Sequence, residues 1–161
     1  MSRKIVLPVL FCVFIALDQI TKFVVQAKLQ LYDSVEVIPG LFNITYVLNP
    51  GAAFGILREQ SEIFRVAFFT GMTILACILI LTLIIREYRF KVRTFAYTAV
   101  LAGALGNMID RLRVGKVVDF LDFYFKNWHW YTFNVADCLI TVSIGALLID
   151  ILFLNKGVKN G

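Results

Sequence analysis

The chain has 161 residues, 60% of them hydrophobic and 17% charged, with a formal net charge of +5. Soluble domains run nearer half apolar and a quarter charged. So short a chain has too much surface to hide this much apolar material from water, and the same arithmetic excludes a disordered chain. Cys12, Cys77 and Cys138 all lie in apolar runs, and His129 is the single histidine, so neither a disulfide scaffold nor a zinc site is expected. The basic excess fits the short positive loops of a membrane protein better than a nucleic-acid partner.

Ile5–Leu17 is apolar, Asp18 interrupts, and the pattern runs on to about Ala27. Arg3 and Lys4 precede it as in a signal peptide. No small residue stands where cleavage needs one, so a retained first span is expected. Segment 28–64 carries Tyr32, Val35, Val37, Ile38, Phe42, Ile44, Tyr46 and Val47 around Pro39-Gly40, a pattern of short strands joined by a turn. Val66–Ile85 is twenty residues without a charge, enough to cross a hydrocarbon core of about 30 Å. Thr94–Ile109 is a second uncharged run, of sixteen residues. Segment 112–132 is dense in aromatic residues, as at a membrane interface. Phe133–Leu154 is the last apolar run, interrupted by Asp137 and Asp150. The expected fold is one domain over 1–161, an α-helical integral membrane protein. Its four transmembrane helices lie near 5–27, 66–85, 94–111 and 133–154, with a small extracytoplasmic β-rich segment between the first two.

Basic residues orient it. Arg86, Arg89, Lys91 and Arg93 crowd one short loop. With Arg3, Lys4, Lys156 and Lys159 they put eight basic residues inside when both termini are cytoplasmic. Six lie outside, at Lys28, Arg58, Arg65, Arg113, Lys116 and Lys126.

A charge near the bilayer centre costs about 2.5–3.5 kcal/mol on insertion scales, so polar residues in these spans need a reason. In this topology Asp18, Asn107, Arg111, Asp119, Asn134 and Asp137 converge on the outer leaflet. Asp150 falls about 20 Å deeper than Asp137 at 1.5 Å per residue. Bland readings exist for several. Asp18 and Lys22 stand at i, i+4 and can simply pair. Asp110 and Arg111 can end a helix, Asn107 and Asn134 can join helices, and Gly103 and Gly106 can let helices approach. His129 reads as interfacial. Asp150 is expected to reach the inner surface or to pair with Lys156, and its replacement by Asn is expected to leave activity nearly unchanged, because it lies about 20 Å from the site. Asp119 sits within Val117-Val118-Asp119-Phe120-Leu121, and Asp137 has no basic residue within four positions; solvation explains neither well. Two carboxylates held close share one proton. One can then activate water while the other protonates the carbonyl or the leaving group. Their separation of eighteen residues carries little weight by itself.

Five short boxes add to this. Asp18-Gln19-Ile20-Thr21-Lys22 resembles the D-Q-x-T-K signature of the bacterial lipoprotein signal peptidases, the signal peptidase II family. Asn49-Pro50-Gly51-Ala52-Ala53-Phe54-Gly55 resembles their N-x-G-A-A-F-G box, and Gly103-Ala104-Leu105-Gly106-Asn107-Met108-Ile109-Asp110-Arg111 their G-A-x-G-N-x-x-D-R box. Val117-Val118-Asp119-Phe120 and Phe133-Asn134-Val135-Ala136-Asp137 resemble the V-V-D-F and F-N-x-A-D boxes. Ala102 stands where a second glycine is frequent, and Cys138 where serine is common. The resemblance implies an aspartic endopeptidase of the bacterial cytoplasmic (inner) membrane with Asp119 and Asp137 as catalytic pair. Asp18, Lys22, Asn49, Gly103, Asn107, Asp110, Arg111 and Asn134 would support the dyad or bind substrate. It further implies diacylglyceryl-modified prolipoproteins as substrates, cut just before the lipidated cysteine, with membrane lipid as surroundings and cyclic peptides such as globomycin as inhibitors. The expectation is a monomer needing no cofactor or metal. A small transporter would spread its polar residues through the membrane depth, and a purely structural protein leaves the paired acids unexplained.

Overall fold

The structure, a computed structural model, describes residues 3–51, 57, 59–86 and 91–154. Ala52, Ala53, Phe54 and Gly55 of the second box lie outside the described residues, as do Arg58, Arg89, Lys156 and Lys159 of the charge count. Among the described residues there are four α-helices: α1 (Arg3–Lys28), α2 (Glu62–Arg86), α3 (Lys91–Val114) and α4 (Val135–Ile149), the last continued by a π-helical turn, Asp150–Leu154. Among the described residues three stretches are long and apolar enough to cross a membrane: Ile5–Lys28, Glu62–Arg86 and Val135–Phe153. Their outward faces are apolar and bare, as at Leu17, Ile20, Leu75, Leu79 and Leu148, which is how a helix meets lipid rather than water.

α3 differs. It is 24 residues long but less apolar, and it packs against α1, α2 and α4. Its neighbours supply the shielding that an apolar surface supplies elsewhere. Small residues permit this. Ala96, Ala99 and Ala102 are buried on its length, and Gly103 and Gly106 lie against the start of α4 and against α1. A Cβ at Gly103 would stand 2.5 Å from the Ala136 backbone oxygen, and one at Gly106 2.5 Å from Asp18 Oδ2. The backbone oxygen cannot step aside. Gly103→Ala is therefore expected to destabilise the fold by about 1–3 kcal/mol through overpacking, read as a lower melting temperature of the purified protein in detergent. An unchanged melting temperature would show that α4 can shift freely.

Strands β1 (Ser34–Ile38) and β2 (Phe42–Asn49) form the expected hairpin, turning at Pro39-Gly40 with Gly40 at φ +75°. The sheet is larger than expected. Segment 112–132, read as an aromatic interface stretch, contributes β3 (Val117–Phe125) and β4 (Trp128–His129). The antiparallel order is β1-β2-β3-β4. The β-rich part is thus built from two connections, α1–α2 and α3–α4, not only from the one between the first two helices. The register Asn49↔Val117 and Val47↔Asp119 carries Asn49 to the strand that holds Asp119.

Two further placements differ from expectation. α3 does not stop at Arg111 but runs to Val114, where Gly115 at φ +70° donates its N–H to the Arg111 carbonyl and ends the helix. Asp150 pairs with Arg93 of α3, 57 residues away, a partner not expected from the sequence; the expected partner Lys156 lies outside the described residues. Both side chains are mostly buried, so Asp150→Asn is expected to weaken an α3–α4 contact.

Candidate active site

Asn134 begins the site. It is the N-cap of α4: its Oδ1 accepts from the Asp137 N–H at 3.0 Å, while the Asp137 carboxylate accepts from the Asn134 N–H at 3.2 Å. This reciprocal cap leaves the Asn134 amide nitrogen free to reach outward. It donates to Asp119 Oδ1 at 2.6 Å, to Asn107 Oδ1 at 3.1 Å and to the Val118 carbonyl at 3.3 Å. One helix start thereby binds both carboxylates.

Each carboxylate then has a second amide. Asn49 Nδ2 donates to Asp119 Oδ2 at 2.9 Å, its own oxygen held by the Gly51 N–H at 3.0 Å. Asn107 Nδ2 donates to Asp137 Oδ1 at 2.8 Å. All four carboxylate oxygens receive neutral donors. Among the described residues no cation forms an ion pair with either acid. Asp119 is 2% exposed. Burial, with the charge of Asp137 added, pushes its pKa up to about 7, and the hydrogen bonds from Asn49 and Asn134 offset only part of this.

Behind the pair lies a buried ionic cluster. Lys22 Nζ donates to Asp18 Oδ2 at 2.9 Å, Asp110 Oδ2 at 2.8 Å and Asn107 Oδ1 at 2.9 Å. Asp18, Lys22 and Asp110 are each fully buried. Asp18 Oδ1 accepts from the Ala136 N–H at 2.9 Å, placing a negative charge on the exposed donors of the α4 N-terminus. Asp110 Oδ2 also accepts from the Val118 N–H, tying α3 to β3. The i, i+4 pairing of Asp18 with Lys22 is real, and it is one edge of a larger cluster.

Asn49, Asn107, Arg111, Asp119 and Asp137 open on one cavity of about 910 Å³. The Arg111 guanidinium lies 4.7 Å above the Phe69 ring and donates to the Asn107 carbonyl at 3.4 Å, and Arg111 lines the cavity. Asn134 touches both acids from behind. Asp18, Lys22 and Asp110 touch neither, and Gly103 lies off the cavity as a helix spacer. Gln19, part of the first box but without an expected role, has its amide nitrogen bridging Asp18, Asp110 and the Gly106 carbonyl. One residue past Asp18, it carried no periodic signal. Tyr32, Trp130, Tyr131 and Thr141 also line the cavity, without a site role expected from the sequence. Asp122, to which the sequence assigns no role, is buried and lies 2.9 Å from Nδ1 of half-exposed His129. Among the described residues no cluster of three or more His, Cys, Asp or Glu could hold a metal ion.

The family profile described as "Signal peptidase (SPase) II" matches residues 10–153. The chain belongs to the signal peptidase II family. It is similar to the lipoprotein signal peptidase of Syntrophus aciditrophicus, with 45% identity over 141 residues, 87% of this chain and 88% of that one. Similarity to the lipoprotein signal peptidase of Desulforapulum autotrophicum is equal in identity, 45%, and covers 89% of each chain. Among solved structures it resembles a bacterial membrane enzyme determined by the in meso method at 2.3 Å resolution. There the TM-score is 0.85 at 32% identity, covering 97% of this chain and 93% of the other. The family assignment and the five sequence boxes therefore agree, and the chain is a membrane peptidase.

Proposed function

We propose that the chain removes signal peptides from prolipoproteins by aspartic chemistry, with Asp119 and Asp137 as the catalytic pair. The observation that carries this reading is two carboxylates opening on one cavity, their oxygens held by neutral amides and backbone N–H groups. Such a pair keeps one proton between them. The ionised member takes a proton from water as the water attacks the scissile carbonyl. The protonated member gives its proton to the carbonyl oxygen. Collapse of the tetrahedral diol, with a proton passed to the leaving nitrogen, breaks the C–N bond and leaves a carboxylate on the signal peptide. No acyl-enzyme forms. Arg111, on the cavity wall, can donate to the substrate backbone, and cyclic peptides of the globomycin type would compete for the same cavity.

The substrate is a diacylglyceryl-modified prolipoprotein cut just before its lipidated cysteine. Purified protein with chelator present is expected to cut such a precursor and to leave the unlipidated form essentially uncut. Equal turnover of both forms, or rescue by added zinc, would contradict the reading. The same assay run against pH has a set direction. Asp119 holds its proton up to about pH 7, so activity falls as pH rises through that value. The unfolded chain holds that proton only to about pH 4. The folded state thus binds more protons between the two values, and this group lowers stability as pH rises across that window. A falling limb centred two or more pH units above 7 would contradict the proton on Asp119.

The four helices cross the cytoplasmic membrane with both termini inside and the site toward the extracytoplasmic face. α3 can carry its polar residues because three helices shield it. Trp130 and Tyr131, which line the cavity, suit the outer interface. Cysteines introduced at 40–48 are expected to react with impermeant reagents from outside, and those at 86–93 only from inside. The reverse labelling would remove this topology.

A further inference from the structure

We infer that Lys22, which touches neither carboxylate, is a positioning residue for the reaction: it fixes the orientation of the Asn107 amide and so keeps an N–H donor on Asp137. The inference rests on Asp119 and Asp137 being the catalytic pair. An ammonium has three donors and no acceptor. Lys22 spends them on Asp18, Asp110 and Asn107, all between 2.8 and 2.9 Å. Whatever part of Asn107 faces Lys22 must therefore be oxygen. The amide nitrogen is then forced to the other side, where it meets Asp137 Oδ1 at 2.8 Å.

The other two site amides need no such help. Asn49 is oriented by the Gly51 N–H, and Asn134 by the Asp137 N–H, both backbone donors that cannot flip. Among the described residues no backbone group reaches the Asn107 side-chain oxygen; its partners there are Lys22 and the Asn134 amide nitrogen. Turned over, it would put a carbonyl oxygen against a carboxylate oxygen and an N–H₂ against an ammonium. Asp18 and Asp110 make a cation tolerable at this depth, and Asp18 also ties the cluster to α4 through Ala136. Three elements thereby converge on the setting of one amide: α1 through Lys22, α3 through Asn107 and α4 through Asp137.

Two charge-matched double variants test this in single-turnover cleavage of a lipidated precursor. Lys22→Met with Asp110→Asn leaves the formal charge of the buried cluster unchanged but removes the donor to Asn107. The catalytic rate is expected to fall about 100-fold, as for a misplaced catalytic group, with KM within about threefold. Lys22→Gln with Asp110→Asn keeps a side-chain N–H for Asn107 and is expected to recover about tenfold of that loss. Equal rates for the two folded variants, or native rates for both, would overturn the inference. Should neither fold, Asn107→Asp decides alone. It keeps the Lys22 partner but presents an oxygen to Asp137, among the charges of Asp18, Lys22, Asp110, Arg111, Asp119 and Asp137. Its rate is expected to fall about 100-fold near neutral pH and to recover partly on acidification, when the new carboxyl can donate. A native rate and pH profile would overturn the inference. Asp119→Asn measured in parallel separates the two levels. If it is inactive while Asn107→Asp is native, only the positioning role fails; if it is active, the catalytic reading itself fails.

Discussion

Asp119→Asn and Asp137→Asn are each expected to lower cleavage of a lipidated precursor by about 10²–10⁴-fold, the range that general acid–base groups contribute. The substitution keeps size and hydrogen-bonding capacity but cannot exchange the proton. Both variants should accumulate in the membrane and melt near the native temperature. Asp119 is buried, and a neutral amide there avoids the desolvation that burial imposes on its ionised form. Amounts of folded protein and released signal peptide, measured together, check this. Cleavage within threefold of native by either variant would remove that residue from the chemistry.

Lys22→Met carries the largest expected effect on folding. Removing one partner of a buried ionic group typically costs about 3–5 kcal/mol, because the charge left behind has no water to return to. Here two carboxylates, Asp18 and Asp110, are left, both fully buried. The melting temperature in detergent should drop steeply, or the chain should fail to accumulate. Adding Asp18→Asn and Asp110→Asn should recover most of the loss, since the cluster is then neutral. A native melting temperature for Lys22→Met alone would show that the cluster contributes nothing net.

The sequence made the helices and the first hairpin legible because each is signalled locally, by an uncharged run or by alternation around Pro39-Gly40. It concealed β3. Val117–Phe125 is rich in apolar and aromatic residues, which suits a strand and a membrane interface equally, and its partner β2 lies some seventy residues earlier. The C-terminal turn of α3 was obscured for a related reason. Asp110 and Arg111 read as a helix end, whereas Lys22 and the Val118 N–H satisfy Asp110 from other elements. The candidate acids were legible by type and setting. What joins them was not: the amides of Asn49, Asn107 and Asn134 come from three separate elements, and only folding reveals which way each faces. The Arg93–Asp150 pair failed to show for the same reason, its partners being 57 residues apart.

The central claim is that Asp119 and Asp137 act as one unit around a shared proton. Cleavage by the double variant Asp119→Asn/Asp137→Asn, set beside the two single variants at equal levels of folded protein, tests it most directly. Groups acting as a unit are not additive. The expected result is a double variant within about threefold of the weaker single variant. Losses that multiply, so that the double variant falls by the product of the two single effects, would contradict the shared-proton account.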